Sequence, residues 1–209
     1  MDFNTFRDQL SNKIPSYSPN FQARQLMAPF KMGNRIDMLN LNKNPRLGGV
    51  MIFVFNKGNK AHLALIRRPE YDGVHSGQIA FPGGKMDDSD ADIQETAIRE
   101  TFEEIGVPKS KMKILGPISQ VYIPPSKFLV TPFVTICNES PVFNKDDFEV
   151  EEVLEVPIAL LFDDSIVKHG EVNVGNQGYS LSAPYFDVFG HKVWGATAIM
   201  LSEFKAIMK

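Results

Sequence analysis

Phe3, Phe6, Leu10 and Ile14 recur at three- and four-residue intervals, the spacing of one helix face, so residues 2 to 14 are expected to form a short amphipathic helix. The next stretch, to Arg46, is rich in Pro, Asn and Met and carries no period. It reads as an irregular extension that wraps the domain or binds a partner. From Gly49 the pattern changes. GVMIFVF at 49 to 55 is a buried strand, NKGNK at 56 to 60 is a turn, and 61 to 67 is a second strand. A loop leads to Gly77, and 78 to 82 is a short strand running into Gly83 and Gly84. A helix is expected over 93 to 105 and strands over 113 to 123, 127 to 137 and 149 to 156. A helical turn at 157 to 163 follows, then shorter strands at 171 to 175 and 184 to 194. The last helix is placed at 196 to 208. Strands dominate, with helices to pack on them, which predicts a layered α/β or α+β domain.

The helix at 93 to 105 carries the chemistry. Asp92 and Glu95 form a capping pair at its start, and Gly106 and Pro108 mark its stop. At about 100° per residue, with Glu100 at zero, Glu104 falls at about 40° and Glu103 at about 300°. Ile98, Phe102 and Ile105 fall at about 140° to 200°. The expectation is a helix docked by that apolar stripe, with three carboxylates facing away. Like charges at this spacing repel unless a cation sits among them. Carboxylate oxygens suit Mg²⁺ or Mn²⁺; a solvated acidic face is the other reading of these three residues.

Composition narrows the field. Of 209 residues 43% are hydrophobic and 22% charged, with a net charge of -3, so size and core suit one domain and no basic excess suits a nucleic acid. Cys137 is the single cysteine, which excludes an intrachain disulfide and a cysteine-based zinc cluster. The polar start MDFNTFRDQLSNKI lacks the apolar run of a signal peptide or membrane span, so a cytoplasmic location is expected.

Residues 81 to 108 extend the reading. Gly84, Arg99, Glu100, Glu103, Glu104, Gly106 and Val107 resemble the Nudix box, G-x5-E-x7-R-E-U-x-E-E-x-G-U, with U apolar. The second half matches at every fixed position, with Thr101 in one U slot. The loop half is one residue long, and Asp90 or Asp92 stands near where the first Glu belongs. The resemblance implies a Nudix-type α/β/α sandwich around a mixed β-sheet, a single domain over 1-209 with residues 1-46 packed on it. It implies a hydrolase of pyrophosphate bonds that needs Mg²⁺ or Mn²⁺. By position, Glu100, Glu103, Glu104 and the Gly84 carbonyl would be metal ligands, and Arg99 would orient a glutamate. Glu103, Glu104 and Arg99 are thereby expected to be catalytic. A carboxylate outside the box often acts as base or extra ligand in this superfamily. Glu149, Glu151 and Glu152 are the candidates, and Glu152 is taken as the catalytic one.

Residues 63 to 85 are similar to the signature of coenzyme A pyrophosphatases, with Arg68, Gly77 and Phe81 to Gly84 at matching spacing. The longer loop and the closing segment at 193 to 204 resemble that group too. Gly73 and Ile66 stand where the signature has Arg and Thr. Arg68, Arg67 and Lys85 are the expected substrate-binding cations, with Lys127 a further one. The expected substrate is coenzyme A or its thioesters, cleaved to 3′,5′-ADP and 4′-phosphopantetheine. ADP-ribose, nucleoside triphosphates, or a silent nucleotide-binding module are the alternatives. His75 is either a contact to substrate phosphate or an ordinary loop histidine; Tyr122, Pro124 and Pro125 either line the substrate pocket or, the preferred reading, end a strand in a rigid proline turn; Trp194 and Gly195 are read as packing the last helix. Partners beyond the nucleotide are not expected to include nucleic acid or membrane; a homodimer through residues 13 to 46 is one expectation.

Overall fold

Every side chain from Met51 to Phe55 is buried, yet neighbours along this strand go to opposite layers. Met51, Phe53 and Phe55 join a cluster with Ala97, Ile98 and Ile105. Ile52 and Val54 join a second with Phe3, Phe6, Leu10 and Phe204. A strand apolar on both faces belongs at the centre of a sheet covered on both sides.

The computed structural model describes residues 1–29, 44–72, 75–174 and 180–209. Its elements are α1 (Phe3–Lys13), α2 (Phe21–Gln25), β1 (Arg46–Lys57), β2 (Lys60–Arg67), β3 (Ile79–Ala80), β4 (Gly83–Lys85) and α3 (Ile93–Ile105). β5 (Lys113–Pro117), β6 (Val121–Ile123), β7 (Phe128–Cys137), β8 (Glu152–Pro157) and α4 (Ile158–Leu161) follow. β9 (Val167–Asn173), β10 (Ser180–Val188), β11 (His191–Val193) and α5 (Gly195–Met208) complete the chain. The main sheet has the order β3-β2-β1-β7-β5, with β4 on β1, β6 on β7 and β8 on β2. β1 runs parallel to β7 and antiparallel to β2 and β4, so the sheet is mixed. α3 covers one face; α1 and α5 contribute to the core on the other. This is the expected α/β/α arrangement. β9, β10 and β11 form a separate antiparallel sheet. No helix among the described residues is long and apolar enough to cross a membrane.

Several expected elements are recut. The strand expected over 113 to 123 breaks into β5 and β6, with a register shift between Ile114 and Gly116, where φ is +142°. The expected strand at 149 to 156 starts only at Glu152. Asp146 accepts from the Phe148 and Glu149 amides (2.7 and 3.1 Å) and curls the preceding residues into a turn. Residues 184 to 194 are a hairpin, because Phe189 and Gly190 both take positive φ in a two-residue turn. The expected strand at 171 to 175 runs over 167 to 173 instead. α2 lies inside the stretch read as irregular.

α5 is buried along its whole middle, from Thr197 to Lys205. It carries Glu203, fully buried, whose Oε1 accepts from the Tyr17 hydroxyl, Ser119 Oγ (2.7 Å) and the Asn20 amide (3.3 Å). Arg24 Nε lies 4.0 Å from Oε2, and Arg24 Nη2 donates to the Gln120 carbonyl (2.8 Å). Burial, then the adjacent carboxylate, pushes the Tyr17 hydroxyl up to about 12. The N-terminal helices thus bond to α5 and to the segment leading into β6.

Candidate active site

α3 begins where Asp92 accepts from the Gln94 and Glu95 amides (2.8 and 2.9 Å) and ends at Gly106, in the left-handed region with φ +73°. It docks by a different arc from the one predicted. Ala97, Ile98, Thr101, Glu104 and Ile105 are buried, whereas Phe102 is 54% exposed. The buried arc is centred near Thr101, about 100° from Glu100. Thr101 can be buried because its hydroxyl donates to the Ala97 carbonyl (2.6 Å). The arc faces small residues: a Cβ on Gly49 of β1 would stand 2.5 Å from the Ile93 carbonyl oxygen. The helix therefore rides on bare backbone, and a large residue such as Phe102 has no place beneath it.

This rotation separates the three carboxylates. Glu104 is turned inward and 1% exposed; its Oε2 accepts from the Gly83 amide (2.7 Å), and Arg68 Nη2 stands 3.7 Å from Oε1. Glu100 lies against Gly84, where an added Cβ would overlap its carboxylate. That explains a glycine in a strand position. Glu103 is exposed and bonded to Arg99 Nη1 (2.8 Å). The carboxylates of Glu100, Glu104 and Glu149 can bring ligand oxygens within 4.8 Å of one another. The expectation that all three helix glutamates face away from the core is therefore corrected, because Glu104 lies on the core side of the arc.

Burial, joined by the charges of Glu100 and Glu149, pushes the Glu104 carboxyl up to about 8 against the opposing pull of Arg68 and the Gly83 amide. Burial likewise raises Glu100. Such a set is poorly balanced by protein groups alone. Its hard oxygen donors and the glycine-lined cradle fit a divalent cation.

Arg99 organises the other side of the helix. Its Nε and Nη2 donate to the two oxygens of Asp90, both at 2.9 Å, and Nη1 donates to Glu100 (2.9 Å) as well as Glu103. Nη2 also reaches the Lys85 carbonyl (3.2 Å). Asp90 further accepts from the Thr96 hydroxyl (2.9 Å) and the Asp87 amide (3.0 Å). The Arg99 guanidinium holds the Asp90 carboxyl far below the usual carboxylate range. The two aspartates left open by the sequence thus have separate tasks: Asp90 grips Arg99, and Asp92 caps the helix.

The remaining candidates divide. Arg68 donates to the Gly83 carbonyl (3.3 Å) and lines a cavity of about 440 Å³ that also meets Gly83 and Gly84. Arg67 points elsewhere, 3.5 Å from Glu151 and 3.4 Å from Glu152. Glu152 faces that arginine and His191 (3.8 Å), outside the acidic cluster, because strand alternation from β8 turns it that way. Lys85 and Lys127 do not line the cavity; Lys85 serves through its carbonyl. Gly73 lies outside the described residues. Tyr122, Pro124 and Pro125 line the cavity, the less favoured of their two readings; Trp194 and Gly195, read as packing the last helix, line it too, as does His75, whose Nδ1 is 3.1 Å from Gln78 Oε1. Glu149 is one of three candidates in the sequence; the Asp146 turn next to it is a short Asx pattern in NKDDFE.

Comparison with known proteins agrees with this geometry. The model of the NUDIX domain matches residues 45–171. The chain is 30% identical over 163 residues to the uncharacterized Nudix hydrolase NudL of Photorhabdus laumondii, covering 78% of this chain and 85% of that one. It is 32% identical over 158 residues to the mitochondrial coenzyme A diphosphatase NUDT8 of Homo sapiens, covering 71% of this chain and 62% of that one. Among solved structures, the Nudix hydrolase RenU of M. smegmatis superposes with a TM-score of 0.54 at 14% identity, over 78% of this chain and 85% of that one. The chain with Arg99 clamped on Asp90 and Glu104 sealed under Gly83 belongs to the NUDIX domain family and is a Nudix pyrophosphohydrolase.

Proposed function

We propose that this chain hydrolyses the pyrophosphate bond of coenzyme A, releasing 3′,5′-ADP and 4′-phosphopantetheine, with Mg²⁺ or Mn²⁺ as cofactor. The observation that carries the reading is the Glu100, Glu104 and Glu149 cluster set at the Gly83–Gly84 edge of a substrate-sized cavity. The relationship to a coenzyme A diphosphatase at 32% identity supports the choice of substrate.

In this proposal Glu100 and Glu104 hold the cation and Glu149 completes the set, in the role first given to Glu152. A bound divalent ion would neutralise the pyrophosphate oxygens and acidify water. The chain's own groups do the rest. Arg99 fixes Glu100 and Glu103 through one guanidinium, braced by Asp90. The Gly83 amide and Arg68 hold Glu104 in place. Glu149, the exposed member, accepts the proton of the attacking water. Water attacks one phosphorus, and the bridging P–O bond breaks.

The test is turnover of a panel of coenzyme A, ADP-ribose, dinucleotides and nucleoside triphosphates, with Mg²⁺ or Mn²⁺ and identified products. Preferred cleavage of coenzyme A to the two named products is expected. ADP-ribose turned over as well or better would overturn the choice of substrate.

A further inference from the structure

The cavity behind the acidic cluster is out of character with a nucleotide phosphate. Its walls are largely aliphatic and aromatic, with Ile79, Phe81, Val121, Ile123 and Ile199 among them. Among the described residues Arg68 is the one Lys or Arg in the lining, and it is already engaged by the Gly83 carbonyl and Glu104. A phosphate buried there would lose its water without gaining a free cation from the described residues.

Several of the polar groups that reach this space can donate. α5, fourteen residues long, opens its N-terminus onto the cavity: Gly195, Ala196 and Thr197 all line it, and no side chain caps the helix at Trp194. First-turn amides have no partner within a helix. Thr197, the third of these residues, is 8% exposed, and its side chain makes no hydrogen bond to another side chain or to the backbone among the described residues. Ser126, also in the lining, has a hydroxyl oxygen shut from solvent and equally unpartnered. Buried hydroxyls are ordinarily bonded, so the Ser126 hydroxyl in this apolar space points to an acceptor supplied from outside.

We infer that this cavity takes the neutral pantetheine arm of coenzyme A, a branched aliphatic chain with two amides, whose carbonyls accept from the α5 N-terminus and Thr197. The 3′-phosphorylated nucleotide then lies outside the cavity, beyond the acidic cluster. The volume of about 440 Å³ falls within the range, about 300–1,000 Å³, that encloses small organic ligands. The pyrophosphate reaches the carboxylates because Gly83 and Gly84 border both spaces. This assignment rests on coenzyme A being the substrate.

Calorimetric titration with 4′-phosphopantetheine and, separately, 3′,5′-ADP, both with Mg²⁺, tests it on wild type, Thr197→Val and Ala196→Phe. Ala196 is only partly buried in the lining, so a larger side chain there can fill the cavity without entering the core. Thr197→Val is expected to weaken 4′-phosphopantetheine about fivefold, the loss of one neutral hydrogen bond. Ala196→Phe is expected to weaken it more than about tenfold, with 3′,5′-ADP unchanged within about twofold in both variants. Binding of 4′-phosphopantetheine unchanged in both variants overturns the inference. So does a loss confined to 3′,5′-ADP, which would put the nucleotide in the cavity. Turnover of coenzyme A by the wild type is read separately: its absence sinks the substrate reading, whereas unchanged titrations sink only the cavity assignment.

Discussion

Gly83 and Gly84 divide two regions made of opposite materials. On one side Glu100, Glu104 and Glu149 crowd together, and burial drives the carboxyl of Glu104 up to about 8. On the other lies a cavity walled by aliphatic and aromatic groups, with an unpaired Ser126 hydroxyl, an uncapped helix start and, among the described residues, one committed arginine. The first region is an excess of charge held in tension. The second has almost none. A pyrophosphate linking a charged nucleotide to a neutral arm needs such a divided site: cations must meet the phosphates, and water must leave the arm.

The sharpest way to break the comparison is Glu104→Gln. It keeps the shape and the Gly83 contact but removes the buried charge, so kcat should fall on the order of 10³-fold. The fold, read by circular dichroism, should survive. Near-normal turnover would show that the buried carboxylate does not serve the reaction. Next come the two rival outer glutamates. Glu149→Gln should cost about 10²-fold in kcat and Glu152→Gln less than about threefold, since Glu152 faces Arg67 and His191; the reverse order would return the role to Glu152.

Asp90→Asn removes a brace rather than a ligand, and should cost about 10- to 100-fold in activity or metal affinity. It also carries a pH signature. The folded-state pKa of Asp90 lies below its usual value, so its contribution to stability is present above about pH 4 and is lost as pH falls. The difference in melting temperature between wild type and Asp90→Asn should therefore shrink below about pH 4. A difference that stayed constant with acidification would assign the effect to packing. The smallest expected effect is thermal. Mg²⁺ at about 100 times its Kd should stabilise the wild type by about 2.7 kcal/mol, a rise of about 5 to 10 °C in Tm, absent in Glu104→Gln. Equal shifts in both would place the ion elsewhere.

The same division explains what could be read from the sequence. The acidic side is local: Arg99, Glu100, Glu103 and Glu104 sit in one turn, and the caps at Asp92 and Gly106 place the helix to the residue. Its rotation was not readable. A wheel of apolar residues puts Phe102 inward, whereas the close approach of Ile93 and Ala97 to Gly49 decides the arc. That contact joins residues nearly fifty positions apart and has no local mark. Glu149 is ambiguous in the sequence for a similar reason: strand periodicity predicts a strand where the Asp146 side chain makes a turn. The cavity was the least legible part. Arg68, Phe81, Val121, Tyr122 and Trp194 come from four separated stretches, and the aromatic ones look like ordinary core until the fold brings them together.

Glu203 carries a practical consequence for anyone trimming this chain. Helices α1 and α2 are small, 11 and 5 residues, yet the segment they belong to is bonded into the core. Without Tyr17, Asn20 and Arg24, a carboxylate at the heart of α5 would keep Ser119 alone among its present hydrogen-bond partners. It would then have to take up a proton, draw in water or shift the helix. α5 also forms part of the cavity wall, so a shortened protein would show its injury at the far end of that helix, as poorer grip on substrate, before it showed it as unfolding.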